Sequence, residues 1–111
     1  MEPRLKSRMW IQALIRRCDL AAIAAAVIAR GDDDAGAILL KFSGRDGGCS
    51  VLTQVRRQDG ELVWMRASGS DPVTEAEADS YIERQRRRDP DLWVIEVESG
   101  SAAAVLDGHI I

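Results

Sequence analysis

One histidine and two cysteines stand in a chain of 111 residues, and that scarcity closes off much chemistry. Cys18 and Cys49 have no paired spacing, so neither a metal knuckle nor a disulfide framework follows, and a reducing compartment is expected. Any Ser-His or Cys-His nucleophilic dyad must use His109, which lies in a tail with nothing nearby to hold it still. Lysine is nearly absent too. Lys6 and Lys41 are the whole set, and neither sits in the E-x-K or D-x-K arrangement of a metal-dependent nuclease strand. No G-x-S-x-G, Walker-type, G-x-G-x-x-G or H-E-x-x-H pattern occurs. Long hydrophobic runs are missing as well: LAAIAAAVIA, ten residues, is about half a membrane span. The N-terminal apolar stretch is broken at Gln12 and closed by Arg16 and Arg17, unlike a secretory signal. The expectation is a soluble, cytoplasmic, non-membrane protein with no catalytic residue, metal or cofactor that can be named.

What is present is ordinary globular material. The chain is 46% hydrophobic and 30% charged, too apolar for disorder and long enough for one core. Net charge is −3, which argues against wholesale nucleic-acid binding, although residues 1–17 carry five basic side chains against Glu2. Arginine outnumbers lysine thirteen to two.

From Leu5 to Ile15 apolar residues tend to alternate, which predicts a half-buried strand. A helix through Ile11, Leu14, Ile15 and Cys18 is the alternative. Asp19 then reads as the N-cap of a helix DLAAIAAAVIAR that Gly31 stops. No charge occurs between Leu20 and Ala29. A helix uncharged all round is covered on more than one side, so this segment marks a contact surface. The triplet Asp32–Asp34 does not fit the calcium-loop template and reads as a solvated turn.

AILLKF (37–42), CSVLTQVRR (49–57) and ELVWMRA (61–67) alternate with period two around SGRDGG and QDGE turns, predicting a three-stranded meander. Thr74 to Glu77 is a T-x-x-E capping box that opens a second helix with an apolar stripe of Ala78, Tyr81 and Ile82. Asp89-Pro90 ends it, and LWVIEVE (92–98) is the last strand. The expected order is β-α-β-β-β-α-β: an α+β domain over residues 1–98, a mostly antiparallel sheet with two helices packed on it. Residues 99–111 are expected to form a loose tail.

Two candidate surfaces emerge. Arg84, Arg87 and Arg88 cluster at the end of the second helix. As cations in a last turn they stabilise the helix terminus by roughly 0.3–1 kcal/mol each. They form a nucleic-acid or polyanion site only if the N-terminal basic residues Arg4, Lys6, Arg8 and Arg16 lie beside them. Trp10, Trp64 and Trp93, on three expected strands, are either core residues or an exposed platform for a partner. Self-association or binding to another protein is the favoured function, with nucleic acid as the alternative.

The stretches RLKSRMWIQALIRRCD, GDDDAGAILLK and YIERQ…DPDLWVIEVE resemble a family of small, single-domain alphaproteobacterial proteins described as a domain of unknown function. The similarity runs from Arg4 to Glu98, with DPDLW its most specific part. It implies a small bacterial protein and carries over no activity, cofactor, partner or site residue.

Overall fold

A computed structural model describes residues 6–102, 105–106 and 110–111. Helix α1 (Ser7–Leu20) leads into β1 (Ala25–Ala29), β2 (Ile38–Ser43), β3 (Cys49–Arg56) and β4 (Leu62–Arg66), then α2 (Glu75–Arg88) and β5 (Trp93–Val97). The five strands form one sheet in the order β1-β5-β2-β3-β4. Three neighbouring pairs are antiparallel and β2–β5 is parallel. The α+β class, the two helices and the mostly antiparallel sheet are as expected, and β2, β3 and β4 are the meander that their turns foretold.

The N-terminal third is assigned differently. The segment read as a first strand is α1, whose buried Ser7, Ile11, Leu14 and Cys18 make a helical stripe. Trp10 and Leu14 stand at even positions, against the odd-numbered apolar alternation, and both fall on the apolar side of this helix, packed on the core. The segment read as a helix is the end of α1 followed by β1. The stop is a Schellman turn: Ile23 N–H donates to the Cys18 carbonyl (2.8 Å) and Ala22 N–H to that of Asp19 (3.1 Å). Ala22 occupies the left-handed position, φ 58°, that glycine usually fills. Ile23 then packs on the cluster that contains Cys18, as this motif favours. The alanine run is a good helix former, yet pairing with β5 overrides that propensity.

Side chains alternate to the two sheet faces, and each face has its own helix. On one face Ile38, Leu40, Phe42, Leu52, Trp64, Trp93, Ile95 and Val97 pack with Ile11, Leu14 and Cys18 of α1. On the other, Leu39, Cys49, Val51, Leu92 and Val94 meet Ala78 and Ile82 of α2. Thr74 caps α2, its Oγ1 accepting from Glu77 N–H at 3.1 Å, and Asp89 closes it before Pro90. β5 runs in the interior of the sheet, buried on both faces except at Glu96.

Within the segment expected to be a loose tail, residues 105–106 and 110–111 contact the rest of the domain. Val105 and Leu106 are buried on the α1 face, and Arg17 Nη1 donates to the Val105 carbonyl at 2.6 Å. Ile110 lies alongside Trp64 in a parallel bridge, with Ile111 N–H bonded to the Trp64 carbonyl (2.8 Å).

Candidate functional site

The sequence stretches that carry the family resemblance interlock at one end of the sheet. Asp32 N–H donates to the Asp91 carbonyl (3.0 Å), and the Asp32 carbonyl accepts from Trp93 Nε1 (2.7 Å). Ser7 and Arg8 N–H donate to the carbonyls of Asp34 and Asp33, and Ser7 Oγ donates to that of Gly36 (2.6 Å). A Cβ on Gly31 would stand 2.1 Å from the Asp91 oxygen, and one on Gly36 2.5 Å from it. Both glycines are there because backbone passes over backbone. The Asp32 carboxylate accepts from Asp34 and Ala35 N–H and so folds its own loop. This junction is structural, and the acidic triplet is its turn.

This junction also bears on the arginines. α1 begins and α2 ends near the same loop, but on opposite faces of the sheet. Between them lies the acidic turn, which pairs Lys6 with Asp34 (3.6 Å) and Arg30 with Asp33 (3.2 Å). Arg86 and Arg87 each stand 3.9 Å from Glu83, and Arg84 stacks over Tyr81 at 6.0 Å. Arg88 is exposed. Arg30, Arg86 and Arg87 line a shallow groove together with Glu83 and Asp89. Arg4, part of the expected basic face, lies outside the described residues, as does His109.

The tryptophans separate. Trp64 and Trp93 are 4% and 3% exposed and belong to the core, where Trp93 also carries Arg30 over its ring at 5.7 Å. Trp10 is half-buried and meets Trp64 with ring centroids 5.4 Å apart. They form no shared exposed platform.

Sequence reasoning missed Lys41. It sits on β2 between Glu96 of β5 and Val51 of β3, under α2, with its side chain 8% exposed. Its ammonium reaches Asp79 at 2.8 Å, Glu96 at 3.1 Å and Glu75 at 3.4 Å. Burial alone pulls a lysine pKa down. Hydrogen bonds to Asp79 and Glu96, and the charges of both, more than reverse this, so the net shift is upward. Lys41 is therefore a fixed cation, useless as a base or nucleophile and suited to pinning α2 to the sheet. Ser43 Oγ extends the network to Glu96 Oε2 (3.3 Å) and lies 3.8 Å from the Cys49 thiol. The signal available in the sequence was one lysine inside ILLKF, on the same strand face as Leu39. Its carboxylate partners sit 34 to 55 positions away. Among the described residues no group of three or more His, Cys, Asp or Glu is arranged to hold a metal ion, and no helix is long and apolar enough to cross a membrane.

The sheet has two edges, and they are treated differently. β4 is covered by Ile110 and Ile111, with Arg66 N–H also reaching the Ile111 carbonyl (3.4 Å). β1 has no strand or loop on its outer side among the described residues. Glu98 N–H donates to the Ala24 carbonyl, and Ala26 opposes Glu96 in the same register. Antiparallel pairs alternate between bonded and unbonded, so Ala25 and Val27 turn their N–H and C=O groups outward. Val27 is 44% exposed and Ile28, at a bulge, 54%. Beside Ala25 runs an open groove of about 490 Å³ between α1 and β1, lined by Gln12, Ile15, Arg16, Asp19, Ile23 and Ala25 among others. Leu20, 78% exposed, stands at the end of α1.

Comparison with known proteins finds a family model described as "Protein of unknown function (DUF1491)" matching residues 5–107. The chain is similar to a DUF1491 family protein from Caulobacter crescentus CB15 solved by crystallography. The TM-score is 0.87 at 36% identity, covering 97% of this chain and 100% of that one. An NMR structure of a DUF1491 family protein from the same organism gives 0.86 at 36%, covering 99% of each. A solution structure of a protein from A. tumefaciens gives 0.80 at 33%, covering 94% and 93%. No curated protein matches.

Proposed function

The chain belongs to the DUF1491 family, and we propose that this member is a protein-interaction module that binds through the open edge of its sheet at β1. One observation carries the reading: among the described residues an uncharged, apolar strand lies at an uncovered edge, while the opposite edge is bridged at Trp64 and Arg66 by the chain's own Ile110 and Ile111. Exposed edges invite strand addition, and proteins that avoid it place charges or proline there. β1 has neither between Ala25 and Ala29, and a bulge at Ile28 is the one irregularity in its pairing with β5 among the described residues. The absence of charge from Leu20 to Ala29, expected to mark a covered helix, thus belongs to a strand with one side free. The polyanion alternative is supported less well, because the two basic regions occupy opposite faces and an acidic turn intervenes.

The test is amide exchange at Ala25 and Val27 in isotope-labelled protein, free in dilute buffer and then in concentrated extract of its source cells. Both amides exchange fast while the edge is empty, and its occupation by any strand slows them at least tenfold, on the order expected when an exposed N–H enters a ladder. Fast exchange of both under every condition refutes the reading.

A further inference from the structure

We infer that the occupant of the β1 edge is the β1 strand of a second copy of this chain, antiparallel about a two-fold axis at Ala26; this rests on the edge being an interaction surface.

Three features favour a copy over an unrelated strand. The first is the parity of the backbone groups. With the axis at Ala26, Ala25 of each copy faces Val27 of the other, and these are the residues whose N–H and C=O point outward. Both pairs can then exchange two bonds each, giving four backbone hydrogen bonds, while Ala26 meets its symmetry mate in an unbonded pair. The bulge at Ile28 ends the shared frame.

The second is charge. No charged side chain occurs from Leu20 to Ala29, so two copies of β1 meet without opposing like charges.

The third is shape. Ala25 and Val27 share the α1 face, as their partners Val97 and Ile95 do. Val27 of the second copy, opposite Ala25, therefore lies over the groove lined by Ile15, Ile23 and Ala25, a place for an exposed apolar side chain to be buried. An isologous contact of this kind closes at two copies.

The experiment uses Ala26→Cys. In an unbonded antiparallel pair the Cα atoms are about 4.5 Å apart, inside the range a disulfide spans, and both native thiols are buried. Under mild oxidation Ala26→Cys gives covalent dimer at low micromolar protein. Ala25→Cys does not, because its symmetry mates stand on diverging diagonals. In parallel, wild type sediments as a dimer and Val27→Lys, an exposed substitution, as a folded monomer. A wild type that is monomeric at high micromolar concentration, or cross-linking equal at both positions, overturns the second copy. Exchange at Ala25 and Val27 in cell extract separates the two failures. Protected amides in a chain monomeric when pure leave the edge reading standing with another occupant, and unprotected amides remove both.

Discussion

Lys41→Met tests whether the buried ammonium holds α2 to the sheet. The helix has little else to hold it: Ala78 and Ile82 are its buried side chains, with Tyr81 partly buried beside them. Methionine keeps the length and apolar stem of lysine and removes the charge, leaving Asp79, Glu75 and Glu96 facing one another. Removing one member of a buried ion pair costs about 3–5 kcal/mol. Here the side chains of Asp79 and Glu75 are 56% and 65% exposed and can turn to water, while that of Glu96 is 26% exposed and cannot do so fully. Discounting the two exposed partners leaves an expected loss of about 1–3 kcal/mol, or about 5–15 °C in Tm for a domain this size. Urea unfolding at pH 7, followed by tryptophan fluorescence, reads it. The double variant Lys41→Met/Glu96→Gln should recover part of the loss, since the least hydrated carboxylate is gone. The pH dependence has a definite sign. Because folding raises the Lys41 pKa, its contribution is whole below the ordinary value of 10.5 and fades as pH climbs through the higher folded value. On the alkaline side, the gap between wild type and Lys41→Met therefore holds through neutral pH and narrows in strong alkali. A difference within about 0.5 kcal/mol at pH 7, the scatter of surface substitutions, refutes the pin.

Other positions give sharper signs. Gly31→Ala would drive a methyl group into the Asp91 carbonyl and the Trp93 ring, and should cost about 3 kcal/mol or more, seen as loss of folded protein in thermal melts. Ala22→Gly relieves a left-handed alanine and should stabilise by about 0.5–1 kcal/mol, an upward Tm shift; a downward shift would count against the Schellman stop. Cys18 is fully buried, and burial raises its thiol pKa against the opposing charge of Arg17. Pulsed alkylation at pH 7.5 should label it about 100-fold more slowly than a free thiol until urea unfolds the chain.

The legible parts of the fold were those with turn chemistry or a cap written in consecutive residues. Gly60 in QDGE takes φ 88°, Gly47 in SGRDGG φ 85°, and Thr74 accepts from Glu77. The first thirty residues were obscure because their stop signal carries alanine where glycine is usual. The strand that follows is alanine-rich, and only its place beside β5 makes it a strand. The tryptophans and the arginines could be ranked from the sequence but not located. Lys41 was overlooked because three elements distant in the chain build its surroundings. The open edge could not be read from β1 alone, since an edge is defined by what is missing beside it.

Sealing one side of a sheet sets how far assembly can go. With Ile110 and Ile111 laid along β4, the proposed pairing leaves each protomer a single adhesive strand, so growth would end when two such strands meet. Were those isoleucines displaced, β4 of one molecule could accept β1 of the next, head to tail, and nothing in that geometry would close it. Two residues would then separate a finite particle from a filament, with the valence of the whole assembly decided at the side of the sheet farthest from the joint.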